Sequence, residues 1–577
     1  MMRLTRRGWM GAAAGLAAAG TARAVPAGAD GNTPTPTLPA GDFTIHSHGA
    51  RDYGPAMAAL RTYALDELTQ LGLPGMTLCV TDQDGFTATL GLGWADRDAH
   101  VPVNESHRFQ IGSISKSFIA LTVLALADAG KIDLDAPAAT YLPEAPWPAT
   151  PITVAQLLSH SGGLPDGATI FPRTGDGRLW SGFKPGSKFS YSNTGFRLLG
   201  LLIEWATGMP HQDAVSHFVR GKLGLTAMAG TISPARRPEF AVGYWPWAYD
   251  AVANPPRARL EFASWDPEDD PAGSIGATSG EMAVYLRALL AIGAGRGAPV
   301  ISDAAARRFA TGVIAADEFG PGARYACGVA VVPLDGAPCL HHTGGMMAFS
   351  SSFHADPAAG VACFASVNAR LGSYRPRLTT AYAVRLMRAA RAGKPLPAPP
   401  DALGRFRVKE PAPYLGTFVS PAGGFTLTAA PEGLSVKTED GVALAYPDGQ
   451  DRFVVDHPIL ARHGLDAVRE NGKVTGFWWG ENLFGRDKPA ATPAPSPALQ
   501  PLAGVYLNRD PWVGGAEILV RGDRLVMEGG GPLTDHGGWW SLDKDPGGVE
   551  RLSFEAKLNG QFTRLNASGW DMLRLTV

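Results

Sequence analysis

Ser113-Ile114-Ser115-Lys116, running directly into the apolar stretch 117–129, orders the rest of this 577-residue chain. The stretch 117–129 is apolar nearly all round a helix, which predicts a buried helix, and Gly130 stands where its C-cap would. Residues three apart at a helix start share a face, so the Lys116 amine can reach the Ser113 hydroxyl. A serine hydroxyl is a poor nucleophile until a neighbouring base takes its proton. Lys116 can serve if partial burial lowers its pKa, and Tyr191 can serve if Lys116 stabilises its phenolate. Which of the two holds the proton at rest stays open at this level. A helix N-terminus favours developing negative charge, and the Ser113 N–H is free to donate there.

The spacing by itself is unspecific. Ser181-Gly182-Phe183-Lys184 and Ser541-Leu542-Asp543-Lys544 share it, Tyr506-Leu507-Asn508 copies Tyr191-Ser192-Asn193, and His160-Ser161-Gly162 loosely copies His342-Thr343-Gly344. Order and context choose one set. Ser541 has no room downstream for the other elements, and Ser181 is followed by Pro185-Gly186 rather than a helix. Ser113, then Tyr191, then His342 is the one complete series.

With these motifs the chain resembles the serine β-lactamase and penicillin-binding-protein superfamily, especially its class C and D-aminopeptidase-like branch. Ser113-Ile114-Ser115-Lys116 is similar to S-x-x-K, Tyr191-Ser192-Asn193 to Y-x-N, and His342-Thr343-Gly344 to the K/H-T-G strand. Residues 157–165 and Pro271-Ala272-Gly273-Ser274 fit as supporting stretches, and the resemblance covers about residues 50–390. It implies that Ser113 becomes acylated and that Tyr191 and Lys116 shuttle its proton. It implies an oxyanion hole from the backbone N–H groups of Ser113 and Gly345. Asn193, Thr343 and Gly344 would bind and orient the substrate, and His342 would stand near Tyr191 and the substrate's far end. Histidine in place of the commoner lysine departs from most class C β-lactamases and resembles some D,D-carboxypeptidases and D-aminopeptidases.

The residues outside this series receive plainer readings. His160 reads as a loop-structuring residue. The acidic run Asp266-Pro267-Glu268-Asp269-Asp270 reads as a solvated loop, with a contact to a substrate amine left open. His46, His48, His341 and His342 form no zinc spacing, so no metal and no cofactor are expected. No G-x-S-x-G elbow is present, which disfavours an α/β-hydrolase.

Composition bounds the class. The chain is 45% hydrophobic and 18% charged, with a formal net charge of -2. Removing Arg3, Arg6, Arg7 and Arg23 with residues 1–24 leaves 47 basic against 53 acidic residues, a net of -6. That disfavours a nucleic-acid partner. Those arginines, an Ala-rich apolar stretch and Ala22-Arg23-Ala24 read as a cleaved signal peptide, twin-arginine or general secretory. The expected location is therefore periplasmic or secreted, with no membrane anchor after cleavage. Of the four cysteines, Cys327 and Cys339 flank a turn at Asp335-Gly336 and are either paired or free thiols.

The expected architecture is α+β. A signal peptide (1–24) and flexible leader (25–45) precede a β-lactamase/transpeptidase-like domain (46–393), an antiparallel sheet plus a helical region. A Pro-rich linker (394–404), a small antiparallel β-barrel (405–487), a second linker (488–500) and a second barrel (501–577) follow. The barrels read as one repeat, because Gly416 and Gly504, and Asn471-Gly472 and Asn559-Gly560, are all offset by 88 residues. D-aminopeptidases of the superfamily have a similar layout. The expected substrate is a small peptide, amide or ester, with cell-wall peptide among the candidates, and the leading activity is cleavage of an amide next to a D-residue. The rivals are a D,D-carboxypeptidase, an esterase, a β-lactamase, and a non-catalytic cell-wall receptor.

Overall fold

The computed structural model describes residues 38–48, 51–172, 174–246, 256–421, 423–431, 433–457, 459–510, 513–542, 545 and 547–575. The expected signal peptide and most of the leader lie outside the described residues. Two compact units emerge. One holds Thr35–Trp245 and Leu260–Ala402, and the other holds Leu403–Val577.

The first unit is built on a ten-stranded antiparallel sheet. Across it run Thr44–Ser47, Thr87–Asp96, Gly75–Asp82, Val361–Val367, Ser350–Asp356, Ala337–Gly345, Ala330–Leu334, Arg324–Tyr325 and Ile314–Ala315, with Val101–Pro102 beside Thr87–Asp96. Strands from the start and the end of the unit thus pair at the centre, and the helical region is inserted between them. Every residue of Gly75–Asp82 and Val361–Val367 is buried, so both sheet faces are covered. On one face Cys79, Phe353 and Phe364 join a core made with helices Ser115–Asp128, Asn193–Thr207 and Ser279–Gly293. On the other, helix Arg377–Arg391 packs on Ser350–Asp356 and Val361–Val367, with helix Gly54–Leu71 against it. Helix Ser115–Asp128 is buried throughout from Ser115 to Leu126, as its all-round apolar surface predicts. Gly130, at φ 69°, follows its end.

The sheet begins before the expected domain start. Ala40 bridges Leu92, Pro39 O accepts from Gly93 N at 2.8 Å, and Thr44–Ser47 is an edge strand. The Pro, Thr and Gly content of 25–45 hid this, because the strand is short and largely exposed. The open pairing of Cys327 and Cys339 is settled: all four cysteines are free and buried. Cys327 lies against the Arg308 carbonyl, whereas Cys339 sits at 3.1 Å from Arg388 Nη2, so the two thiols have different neighbours.

The face under helix Arg377–Arg391 carries two buried histidines. His341 and His354 stack at 4.1 Å, with His341 Nδ1 on Phe353 O and His354 Nδ1 on Thr380 Oγ1. Burial holds His341 well below the ordinary imidazole range, helped by His354, and holds His354 at about 3, helped by Arg377, Arg385 and Arg388. The unfolded chain therefore binds protons that the folded chain refuses. Stability is full above about pH 6.5 and is lost below it, for His354 down to about pH 3, at up to about 1.4 kcal/mol per pH unit for each group. Denaturant unfolding at pH 7 and pH 5 is expected to show this slope, and a His341→Gln/His354→Gln variant to flatten it. An unchanged slope in that variant would assign the acid lability elsewhere.

The second unit is two closed eight-stranded barrels, Gly416–Ser420 through Asn482–Arg486 and Gly504–Leu507 through Trp570–Arg574. Each closes first strand on last, Phe418 opposite Arg486 and Tyr506 opposite Arg574. The repeat is physical. Gly416 and Gly504, at φ 139° and 149°, leave the space that the Arg486 and Arg574 guanidinium groups fill. Those groups donate to Pro413 O at 3.1 Å and Pro501 O at 3.2 Å. Asn471 and Asn559, both at φ 49° and each followed by a positive-φ glycine, make matching hairpin turns.

Candidate active site

Glycines set the site's frame. A Cβ on Gly344 would lie 1.8 Å from Ile111 O, and one on Gly112 would lie 2.6 Å from Gly345 N. The backbone at the start of the buried helix therefore packs directly on strand Ala337–Gly345. This brings the chain at Ser113 alongside Gly345 and leaves both half-buried. Gly112 adopts φ 56°, which allows the sharp entry into the helix.

Lys116 is fully buried, and its Nζ lies 3.1 Å from Ser113 Oγ, 2.6 Å from Asn193 Oδ1 and 2.7 Å from Ala272 O. Asn193 Oδ1 and Ala272 O only accept. A neutral Lys116 gives its two N–H bonds to them and turns its lone pair toward Ser113, and an ammonium gives its third N–H to Ser113. The same side-chain position can hold either the neutral amine or the ammonium. The amine also lies over the Tyr191 ring, 4.9 Å from its centroid, and the Tyr191 hydroxyl is buried.

Two supports were not visible in the sequence. Asp166 Oδ1 accepts from Asn193 N and Asn193 Nδ2, each at 3.0 Å, which fixes the Asn193 amide with its oxygen toward Lys116. Asp270 Oδ1 accepts from Ala272 N at 2.8 Å while Asp270 pairs with Arg197 at 2.7 Å, which seats the Ala272 carbonyl. The last residue of the acidic run is thus a scaffold. Asp166→Ala is expected to lower kcat by about tenfold or more, because the Asn193 amide is released, and Asp166→Asn, which keeps one acceptor, to recover most of it. Equal loss in both variants, with KM changing instead of kcat, would contradict a positioning role.

His342, expected near Tyr191 and the substrate's far end, lies beside Tyr191 and is turned into the fold. It is fully buried, 6.2 Å between ring centroids from Tyr191, and bonded at both nitrogens: Nδ1 to Thr343 O at 2.7 Å and Nε2 to Tyr325 OH at 2.9 Å. A carbonyl can only accept, so the neutral ring carries its proton on Nδ1 and takes the Tyr325 proton at Nε2. His342 thus backs Tyr191 from inside the fold. Thr343 is also fully buried and pairs in register with Ser352, so neither side chain reaches the surface. His160 lies tilted against Tyr191 at 4.2 Å and accepts from Ser192 N at Nδ1, consistent with a structuring part. Arg375, unmarked by any motif, lies against Gly345: a Cβ there would come within 2.0 Å of its Nη2. The look-alike serines are tied up, Ser181 Oγ on Gly162 O and Ser541 Oγ on His536 Nε2. Among the described residues no group of three His, Cys, Asp or Glu is placed to hold a metal.

Known proteins share this frame. The family described as Beta-lactamase matches residues 57–386. Esterase EstB of Burkholderia gladioli is 34% identical over 276 residues, 40% of this chain and 68% of the esterase. Penicillin-binding protein 4* of Bacillus subtilis is 29% identical over 172 residues, 26% of this chain and 38% of that protein. The octameric penicillin-binding protein homologue of Pyrococcus abyssi superposes with a TM-score of 0.52 at 19% identity, covering 74% of this chain and 99% of its own. The chain belongs to the beta-lactamase family, and it is an enzyme of that hydrolase class.

Proposed function

We propose that this chain is a serine acyl hydrolase that cleaves an amide or peptide bond next to a D-amino acid through an acyl-enzyme on Ser113. The observation that carries the serine mechanism is the buried Lys116 amine, 3.1 Å from Ser113 Oγ and held by two fixed acceptors. Ser113 Oγ attacks the carbonyl carbon and its proton passes to the Lys116–Tyr191 pair. The carbonyl oxygen takes the negative charge against the N–H groups of Ser113 and Gly345. The pair returns the proton to the leaving nitrogen as the C–N bond breaks. Water then repeats the sequence on the ester, releasing the acid and the Ser113 hydroxyl.

The amide reading draws on the two barrels that follow the hydrolase domain, the layout shared with D-aminopeptidases. A second reading, an esterase, is favoured by the likeness to esterase EstB. A panel of D- and L-aminoacyl anilides, acyl-D-Ala-D-Ala, a p-nitrophenyl ester and nitrocefin separates the readings. D-aminoacyl anilides are expected to turn over fastest relative to their uncatalysed rates. Turnover of the ester alone would replace the amide reading with the esterase one. Lys116→Ala and Tyr191→Phe are each expected to lower kcat by about 10² or more. Because one proton path needs both, the double variant should lose little more than either single. Multiplying losses would split the path in two.

A further inference from the structure

Helix Asn193–Thr207 meets the proton path twice. Asn193 turns its amide oxygen to Lys116 Nζ at 2.6 Å. One turn on, Arg197 reaches Asp270 Oδ2 with Nε at 2.9 Å and Nη2 at 2.7 Å. At Gly200 a Cβ would lie 2.5 Å from Pro271 Cγ, so the Pro271 ring fills the notch that this glycine leaves. Glu204 Oε1 lies 3.2 Å from His211 Nδ1, and His211 Nε2 lies 3.4 Å from Asp269 Oδ1. Spacings of four, seven and eleven residues return to within about 40° of one helix face. A single face thus holds Asp269, through His211, and Asp270 and Pro271 directly. The next residue is Ala272, whose carbonyl takes the Lys116 amine at 2.7 Å. Within the turn, Asp270 Oδ1 accepts from Ala272 N at 2.8 Å, and Asp270 O accepts from Gly273 N at 2.9 Å and Ser274 N at 3.0 Å. Both fixed acceptors of Lys116 therefore depend on one helix, one directly and one through Arg197 and Asp270.

We infer that Arg197 is a positioning residue of the proton path, and that with Asp270 it seats the Ala272 carbonyl and sets the pH at which the Lys116–Tyr191 pair takes the Ser113 proton. The inference rests on the serine acyl-hydrolase reading above. Opposite charges side by side cancel much of each other's field at the amine. Removing the arginine leaves the Asp270 carboxylate uncompensated next to the Ala272 peptide, and an anion there favours the protonated pair. Removing the carboxylate charge leaves the guanidinium, which favours the deprotonated pair. The two side chains are 23% and 17% exposed, so water screens neither change fully. Burial works against the Arg197 charge, but Asp270 outweighs it, with Glu268 and Asp166 adding to the effect, so Arg197 stays a cation. Other charged or titratable groups stand round the amine. Tyr191 has its ring 4.9 Å from Nζ, Asp166 holds Asn193, and His160 and His342 lie against Tyr191. The variants below leave all of these in place.

The test is kcat/KM of the full chain for p-nitrophenyl acetate from about pH 5 to 9, where the rate rises as the pair loses its proton. Arg197→Gln is expected to move this ascending limb up by about 0.5 pH unit or more and to lower its plateau by about fivefold. Arg197→Lys keeps the charge and is expected to hold the limb within about 0.2 unit of the parent. Asp270→Asn keeps an acceptor for Ala272 N and is expected to move the limb down by about 0.5 unit or more. Arg197→Gln/Asp270→Asn removes both charges, so the shift of whichever single variant folds better is cancelled in it. A purely structural loss would lower the rate at every pH alike. Single variants that shift in the same direction, or a folded single variant whose limb stays within about 0.2 unit of the parent, overturn the inference. A parent rate that is flat across the range overturns it as well. Ser113→Ala is the control. If it still turns over the ester at the parental rate, the underlying hydrolase reading has failed, whatever the limbs do.

Discussion

Replacing Ser113 with alanine is expected to lower turnover by about 10⁴-fold or more while the chain keeps its fold. The size follows from the geometry. In the proposed mechanism the Lys116 lone pair acts on the Ser113 oxygen and the N–H groups of Ser113 and Gly345 act on the substrate's carbonyl oxygen, and neither set supplies the attacking atom. The fold is spared because the side chain is half-buried and lost packing is a single hydroxyl; the nearby buried contacts belong to Ile111, Ile114 and Phe118. Unlike a core truncation, the change leaves no cavity. The measurement is hydrolysis of an activated ester alongside the circular dichroism and melting temperature of the variant. Near-parental rates in a folded Ser113→Ala protein would move the nucleophile elsewhere. Ser181 and Ser541 are poor substitutes, since their hydroxyls are committed to Gly162 O and His536.

What could be read from the sequence was what short spacings encode. Ser113 and Lys116 meet across one helical turn, and the barrels repeat at a constant offset where each closes on itself. The 88-residue offset read at Gly416 and Asn471 extends in the structure to Pro413, Val474 and Arg486, which pair with Pro501, Phe562 and Arg574. What stayed hidden depends on long-range placement. Ala272 contributes a backbone carbonyl, which no residue type announces, to an amine 156 positions away. Asp166 acts one step removed, through the Asn193 amide, and the tyrosine behind His342 sits on the two-residue strand Arg324–Tyr325 near the sheet edge. The histidine of His342-Thr343-Gly344 was recognisable as a motif, but its burial follows from the sheet register, where His342 faces Phe353 on the core side.

The largest stability effect is expected between the two barrels. Arg452 of the first is nine-tenths buried and bonds Glu528 of the second through Nη2, with Nη1 on Asp466 Oδ1 at 2.7 Å. Glu528 Oε1 also accepts from Gly464 N at 3.0 Å, and Gly464 is needed there because a Cβ would lie 2.3 Å from the Arg452 guanidinium carbon. Arg521 of the second barrel crosses back to Asp466 Oδ2 at 2.8 Å and to Gly480 O at 2.8 Å. Burial and the neighbouring Glu528 raise Glu517 to about 7. Removing one partner strands the other. Arg452→Ala leaves Glu528 and Asp466 without their shared guanidinium, and Glu528→Ala leaves a buried arginine short of one carboxylate. Each is expected to cost about 3–5 kcal/mol, whereas Arg452→Met/Glu528→Leu, which removes both charges and keeps the volume, should cost less than the two singles added. Guanidinium unfolding followed by the fluorescence of the chain's 14 tryptophans, Trp478 and Trp479 of the first barrel among them, and by circular dichroism reads the loss as a shift of the unfolding midpoint. Single variants that lose less than about 1 kcal/mol would show the pair behaving as a solvated surface bridge, and the buried geometry would then overstate how dry this interface is.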